Sequence, residues 1–150
     1  MAVTTKAPSE TLEVRRTFNA PRQRVYDAWT KTEEMKKWWG IGVMEAVVAE
    51  SDTRVGGKYR IHLRHPNGTE HRMFGVYRVV EPPKKVVYTW TAETMPDVVD
   101  TIVTVEFHDR GNATEIVLRH DGLDTPALRK GHEDGWIGCF NKLQTVVAAA

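Results

Sequence analysis

The residues able to do chemistry in this chain are six histidines, one cysteine and a set of tyrosines and tryptophans at regular spacing. His120 shares strand parity with Thr114, Ile116 and Leu118 and stands just before Asp121-Gly122. That spacing places an imidazole at the inner end of a strand, a candidate general acid or base. The competing reading is a buried histidine with both ring nitrogens satisfied. His132 falls on the apolar stripe of the longest helical segment and has the same two readings. Cys139 lies on that stripe too, mid-helix among apolar residues. A nucleophilic thiol needs a basic neighbour or a helix N-terminus, so Cys139 reads as a small inward side chain. His62, His65 and His71 share one hairpin, but adjacent strand positions alternate faces, and no His-Glu-x-x-His pattern or cysteine pair accompanies them. No metal and no cofactor is expected. Arg16 is the one charge on the apolar side of its strand and requires an anion, expected from an Asp or Glu at the end of the barrel.

The elements that position these groups follow from hydrophobic periodicity. Thr11 to Phe18 alternates and reads as a first strand, with Leu12, Val14 and Phe18 on one side. Pro21 suits a helix start, and Val25, Tyr26, Ala28 and Trp29 form a stripe through Arg22 to Thr30. A second short helix is expected over Thr32 to Trp39, capped by Thr32 and stopped by Gly40. The period then switches to two. Val43 to Ala49, Lys58 to His65, Glu70 to Val80, Lys84 to Thr91, Asp100 to His108 and Thr114 to His120 read as six further strands separated by Gly, Pro, Asn or Asp. Joined mostly by short hairpins, they predict a meandering antiparallel sheet of seven strands.

One turn predicts a register. His65-Pro66-Asn67-Gly68 favours a three-residue loop, which pairs Leu63 with His71, Ile61 with Met73 and Tyr59 with Gly75. Tyr59, Ile61, Leu63, Met73, Gly75, Tyr77 and Val79 then share the inner face, and Lys58, Arg60, Arg64, Arg72 and Arg78 the outer one. Shifting the register would bury arginines at high cost. The last segment, Thr125 to Ala149, is the long helix, with Leu128, His132, Trp136, Cys139, Phe140, Leu143, Val146 and Val147 in one stripe. Gly131, Gly135 and Gly138 weaken it by roughly 1 kcal/mol each relative to Ala, and close approach to the sheet or to a ligand is the expected compensation.

The fold class is therefore α+β: a curved sheet, two short helices after the first strand, and one long C-terminal helix that alone is large enough to cover the sheet's apolar face. A single cylinder does not fill a concave sheet, so space remains for large side chains or for a ligand. The expected lining comprises Tyr59, Ile61, Met73 and Tyr77 from one hairpin, and Tyr88, Trp90, Val103 and Leu118 from the strands beyond it. The helix adds His132, Trp136, Cys139 and Phe140, and Trp39 stands near the mouth. A dry core of this kind needs a buried partner for each hydroxyl and indole tip.

Bulk properties bound the functions. Residues 1–10 read as a tail and residues 11–150 as one domain, large enough for its own core. Twenty-one basic against 20 acidic residues, evenly mixed, argue against a nucleic-acid partner. The opening has no apolar core of an export signal, and no stable membrane association is expected, which predicts a cytoplasmic protein, monomer or homodimer.

The combination Arg16-x-Phe18-x-Ala20-Pro21, Ala28-Trp29-Thr30, Trp38-Trp39-Gly40, Gly56-Gly57, Gly75-Val76-Tyr77, Pro82-Pro83 and His132-x-x-Gly135-Trp136 resembles the single-domain bacterial proteins named after the C-terminal domain of the Hsp90 ATPase activator. These belong to the START/Bet v 1/polyketide cyclase superfamily. The resemblance spans about residues 12 to 147 and implies a helix-grip fold with a pocket between sheet and long helix; it does not imply one chemistry. The first functional reading is capture of a small apolar or aromatic molecule. The second is a cyclase- or hydrolase-type enzyme using the same pocket, with His120 or a tyrosine as acid or base. The third is a chaperone-interaction protein acting through its outer surface.

Overall fold

The computed structural model describes residues 11–40 and 43–148. The expected tail over residues 1–10 and the expected helix end at Ala149 lie outside the described residues. Strand β1 (Leu12–Phe18) is followed by helices α1 (Arg22–Thr30) and α2 (Thr32–Met35). Strands β2 (Glu45–Ser51), β3 (Lys58–Arg64), β4 (Glu70–Glu81), β5 (Lys85–Ala92), β6 (Thr101–Asp109) and β7 (Thr114–Asp121) come next, and α3 (Pro126–Ala148) closes the fold. The seven strands form one antiparallel sheet in the order β1-β7-β6-β5-β4-β3-β2. Strands β2 to β7 meander in sequence, while α1 and α2 carry the chain from one edge of the sheet to the other. The sheet curls around α3, the expected α+β helix-grip architecture.

Alternation explains the strands directly: in β1, Leu12, Val14 and Phe18 are buried and Glu13 and Arg15 exposed. The β3–β4 register is the predicted one, with Leu63 opposite His71, Ile61 opposite Met73 and Tyr59 opposite Gly75. Its turn is closed by His65 N–H donating to the Thr69 carbonyl at 2.8 Å and Gly68 N–H to the His65 carbonyl at 2.9 Å, with Gly68 at φ +90°. On the long helix, Thr125 Oγ1 accepts from Leu128 N–H at 3.1 Å, so Pro126 opens α3 where its missing donor costs nothing.

Four expectations need correction. Val79 does not continue the inner face of β4, because the register against β5 slips by one residue between Tyr77 and Val79. An extra residue in one strand reverses the parity beyond it, so Val80 packs against the core instead. Helix α2 ends at Met35 rather than Trp39. The tryptophans that follow it leave the helical path to reach the core, where Trp38 Nε1 donates to the Ala28 carbonyl at 2.7 Å. Thr32 does not cap α2; its hydroxyl accepts from Ser51 N–H at 3.2 Å and ties the end of β2 to the helix. Among the described residues Arg16 meets no carboxylate: its guanidinium donates to Asn141 Oδ1 at 2.8 Å and Gln144 Oε1 at 3.2 Å, and lies 5.8 Å from the Phe140 ring centroid. Two amide oxygens and a ring face supply the negative potential that a carboxylate was expected to provide.

The sheet bends at Gly75. Tyr59, opposite it, extends its hydroxyl to the Thr89 carbonyl at 2.6 Å, and Thr89 Oγ1 accepts from Val76 N–H at 2.9 Å. Side-chain atoms thus replace ladder bonds between β4 and β5. A Cβ at Gly75 would run into the Thr89 carbonyl. Gly75→Ala is expected to destabilise the fold by about 1–3 kcal/mol through overpacking. Urea unfolding should show this as a lower midpoint at unchanged m-value.

Candidate functional site

The space between α3 and the sheet is mostly filled by the protein itself. All five tryptophans form one contiguous cluster. Trp29 lies 4.6 Å from Trp38 and 6.2 Å from Trp136, Trp38 4.7 Å from Trp39, and Trp39 5.7 Å from Trp90 between ring centroids. Trp90 and Trp136 close the ring of contacts at 5.1 Å. Phe107 and Phe140 pack edge-on against Trp29. Toward the bend in the sheet, Tyr59, Tyr77 and Tyr88 form a second cluster with centroids 5.1 to 5.7 Å apart. Tyr77 exchanges a hydrogen bond with Ser51 Oγ at 2.7 Å. The Tyr88 hydroxyl faces the Trp29 indole without a hydrogen bond of standard geometry. Burial raises the pKa of all three phenols, so they stay protonated in neutral solution.

Indole N–H groups inside such a cluster need acceptors, and two histidines supply them. Trp136 Nε1 donates to His120 Nδ1 at 3.2 Å. The second nitrogen of His120, Nε2, stands 2.8 Å from Thr101 Oγ1, whose own proton goes to the Trp90 carbonyl at 2.7 Å. An indole can only donate and a carbonyl can only accept, so these partners assign His120 as the neutral tautomer protonated on Nε2. Trp90 Nε1 donates to His132 Nε2 at 3.3 Å, while His132 Nδ1 donates to the Leu128 carbonyl at 3.0 Å. That makes His132 the opposite tautomer. The two imidazoles meet edge to face at 5.1 Å. Burial holds His120 well below the usual histidine range, reinforced by its repulsion with His132, and burial lowers His132 as well.

An apolar hollow of about 190 Å3 remains at one end, between the N-terminal half of α3 and the β3-β4-β5 side of the sheet. Of the expected lining residues, Trp39, Met73, Trp90, His132, Trp136 and Cys139 border it. Tyr59, Ile61, Tyr77, Tyr88, Val103, Leu118 and Phe140 are buried in the core elsewhere and do not. His120 is fully buried behind Trp136, with neither nitrogen free. The Cys139 thiol is 3.8 Å from the Gly40 carbonyl, and burial pushes its pKa up to about 12, the state of an unreactive thiol.

Sequence reasoning missed Gly40, Met44, Leu63, His71, Ala92, Thr94 and Met95, and it did not assign Gly131 or Gly135 to the hollow. At Gly131 an added Cβ would meet open space, so this glycine keeps a void open instead of permitting close approach. His65 and His71 also escaped. They share the inner parity of the hairpin and meet Nε2 to Nε2 at 3.0 Å. A wider depression beside Gly75 is bordered by Glu50, Lys58, Arg60 and Asp100 together with Tyr59, Phe74 and Val76. Among the described residues no group of three or more His, Cys, Asp or Glu converges as metal ligands, and no helix is long and apolar enough to cross a membrane.

A helix gripped by a seven-stranded curl, with an apolar hollow at one end, defines a helix-grip protein. The sequence matches the family model described as Activator of Hsp90 ATPase homolog 1-like protein over residues 19–148, and the chain belongs to that family. Protein CV1439 from Chromobacterium violaceum is similar in structure, with a TM-score of 0.82 at 22% identity, covering 93% of this chain and 97% of that one. The AHSA1-like protein from Aeromonas hydrophila superposes with a TM-score of 0.79 at 18% identity over 93% and 92% of the two chains. A protein from Arthrobacter aurescens gives 0.83 at 19% identity over 99% and 92%. At these identities the likeness is one of fold. No curated protein matches the chain.

The paired histidines make stability depend on pH. In the unfolded chain each would bind a proton below about pH 6.5, whereas the folded state resists protonation because burial disfavours the charged ring and each accepting nitrogen also faces an indole N–H. The unfolded state then binds more protons, so stability falls as pH drops below 6.5. Each histidine contributes a slope of up to about 1.4 kcal/mol per pH unit. Glu34 and Glu70 have pKa values lowered by hydrogen bonds from Arg24 and Arg64 and titrate below this window. Urea unfolding between pH 7.5 and 5.0 should show the loss, and His120→Gln should make its slope shallower by about one proton.

Proposed function

We propose that this protein binds a small apolar or aromatic molecule in the hollow at the open end of the helix grip. The observation that carries this reading is the hollow itself: about 190 Å3, walled by three indoles and by Met44, Met73 and Met95. For scale, an apolar cavity of about 150 Å3 accepts benzene. A single substituted ring or a short hydrocarbon chain therefore matches the space, and polarisable thioethers accommodate varied shapes. Such a ligand has few heavy atoms, which sets its dissociation constant on the order of 0.1 mM. The cytoplasm is the compartment consistent with this role.

The geometry favours binding over acid-base catalysis. A general acid must reach the reacting atom within hydrogen-bond distance, and His120 has both nitrogens committed to Thr101 and Trp136. The tyrosines considered for that role, Tyr59, Tyr77 and Tyr88, do not border the hollow.

Trp39, Trp90 and Trp136 provide the readout. Titration with propylbenzene is expected to change their fluorescence saturably and to raise the melting temperature in proportion to RT ln(1 + [L]/Kd). Gly131→Leu grows a side chain at the hollow's wall while improving helix propensity. It should keep the fold and weaken uptake by about tenfold or more. A wild-type protein that neither changes fluorescence nor gains stability across a panel of single-ring compounds, hydrocarbons and their polar-headed analogues alike, would refute the binding reading.

A further inference from the structure

We propose that the ligand of the hollow is a small carboxylic acid, a single ring or short chain ending in a carboxylate, whose head is held at the rim by His71 Nδ1 and Thr94 Oγ1 with His65 bracing His71 from behind. This inference rests on the binding reading above and adds the chemical class of the ligand.

Most polar atoms around the hollow are already paired. The Trp90 and Trp136 N–H groups are used by His132 and His120, and both His132 nitrogens are occupied. The Trp39 N–H has no partner but is buried within the wall. Two polar side chains in the wall keep unused capacity. His71 Nδ1 and Thr94 Oγ1 lie 3.5 Å apart, at the limit of a hydrogen bond, so neither satisfies the other well. Two donors at that separation can each take one oxygen of a single carboxylate.

The second nitrogen of His71 sets what the first can do. His65 Nε2 and His71 Nε2 stand 3.0 Å apart, so one donates and the other accepts. When His65 donates, His71 accepts on Nε2 and carries its proton on Nδ1, beside Thr94. A carboxylate bound there favours that tautomer and is in turn strengthened by the imidazole pair behind it, since a hydrogen bond to an ionised acceptor is about twice as strong as a neutral one. Among the described residues no carboxylate lies within ion-pair distance of His65 or His71; the nearby acids are engaged by arginines, Glu70 by Arg64 and Glu93 by Arg72.

The backbone that carries both donors is tied down before any ligand arrives. His71 sits next to the turn pinned by Pro66 and Gly68. Thr94 lies in the β5–β6 connection, which is braced by Glu93 N–H to the Arg72 carbonyl at 2.8 Å, by Ala92 N–H to the Val98 carbonyl at 3.0 Å and by Val98 N–H to the Met95 carbonyl at 2.9 Å. Pre-positioned donors bind without an ordering cost.

The test compares three ligands of one shape, propylbenzene, 3-phenylpropanol and 3-phenylpropanoate, by tryptophan fluorescence on the wild type, His71→Phe, Thr94→Val and His65→Ala. The acid is expected to bind about tenfold to a hundredfold more tightly than the hydrocarbon. His71→Phe and Thr94→Val should each remove most of that margin while leaving propylbenzene affinity nearly unchanged, and His65→Ala should remove part of it. Equal binding of acid and hydrocarbon, equal binding of acid and alcohol, or a margin that survives both His71→Phe and Thr94→Val would overturn the carboxylate assignment alone. If propylbenzene and the acid both fail to bind a folded wild type, the hollow itself is not a binding site and both proposals fall.

Discussion

The structure depends on reconciling a concave sheet with a single helix. A curl of seven strands around one cylinder leaves volume that ordinary aliphatic side chains do not reach across, and an empty volume forfeits dispersion contacts along its whole lining. Five tryptophans drawn from α1, the α2–β2 segment, β5 and α3 bridge that gap in one continuous cluster. Filling it with indoles creates a second problem, because each carries a donor into a dry interior. Leaving one such donor unpaired costs about 1–3 kcal/mol. His120 and His132 answer this for Trp136 and Trp90, acting as acceptors that still have a second nitrogen to anchor to Thr101 and to the Leu128 carbonyl. An amide side chain could accept but would bring two further protons to place. Neutral imidazole brings one.

This arrangement divides the interior into a locked part and an open part. In the locked part the tyrosine cluster, Phe107, Phe140 and the two tryptophan–histidine pairs use most of their polar atoms internally. In the open part, α3 presents Gly131 and Gly135 where larger residues would fill the space, and the β3–β4 hairpin presents Leu63, His71 and Met73. At Gly131 the loss of helix propensity is then the cost of keeping the hollow, not of a tight helix–sheet contact. Lys142 supports the far wall by donating to the Met44 carbonyl at 2.9 Å, linking α3 to the segment after α2.

Much of the fold was legible from period and punctuation. The β3–β4 register followed from one Pro-Asn-Gly turn and the segregation of arginines, because a one-residue slip would have buried them. The one-residue slip near Arg78 was not legible, since a bulge answers to sheet curvature, which depends on the whole strand set. Aromatic positions along the strands were readable as inward. Which of them would fill the core and which would border a void was not, because that depends on distances between elements remote in sequence: Trp39 and Trp90 are neighbours only once α1 and α2 have crossed to the far edge. His120 shows the same limit. Its inward parity was evident, but its role follows from an indole that arrives on α3. His65 and His71 were within reach, because the predicted pairing of Leu63 with His71 already placed both imidazoles on the inner face, two residues from one another's partner.

Separating the locked and open parts has a consequence for how such a fold carries function. Stability that came from the same side chains as recognition would make every change of ligand a risk to folding. Here the tyrosine cluster stabilises the fold away from the hollow, the tryptophan–histidine pairs enter its wall with their N–H groups already satisfied, and the residues with spare hydrogen-bonding capacity sit on a hairpin and a connection whose backbone bonds are closed without them. Substitution at His71 or Thr94 alters no backbone hydrogen bond and removes no acceptor from a buried indole. Chains sharing about a fifth of their residues and the same fold are what this division allows: the interior must still fill the concave sheet, while the rim is free to vary.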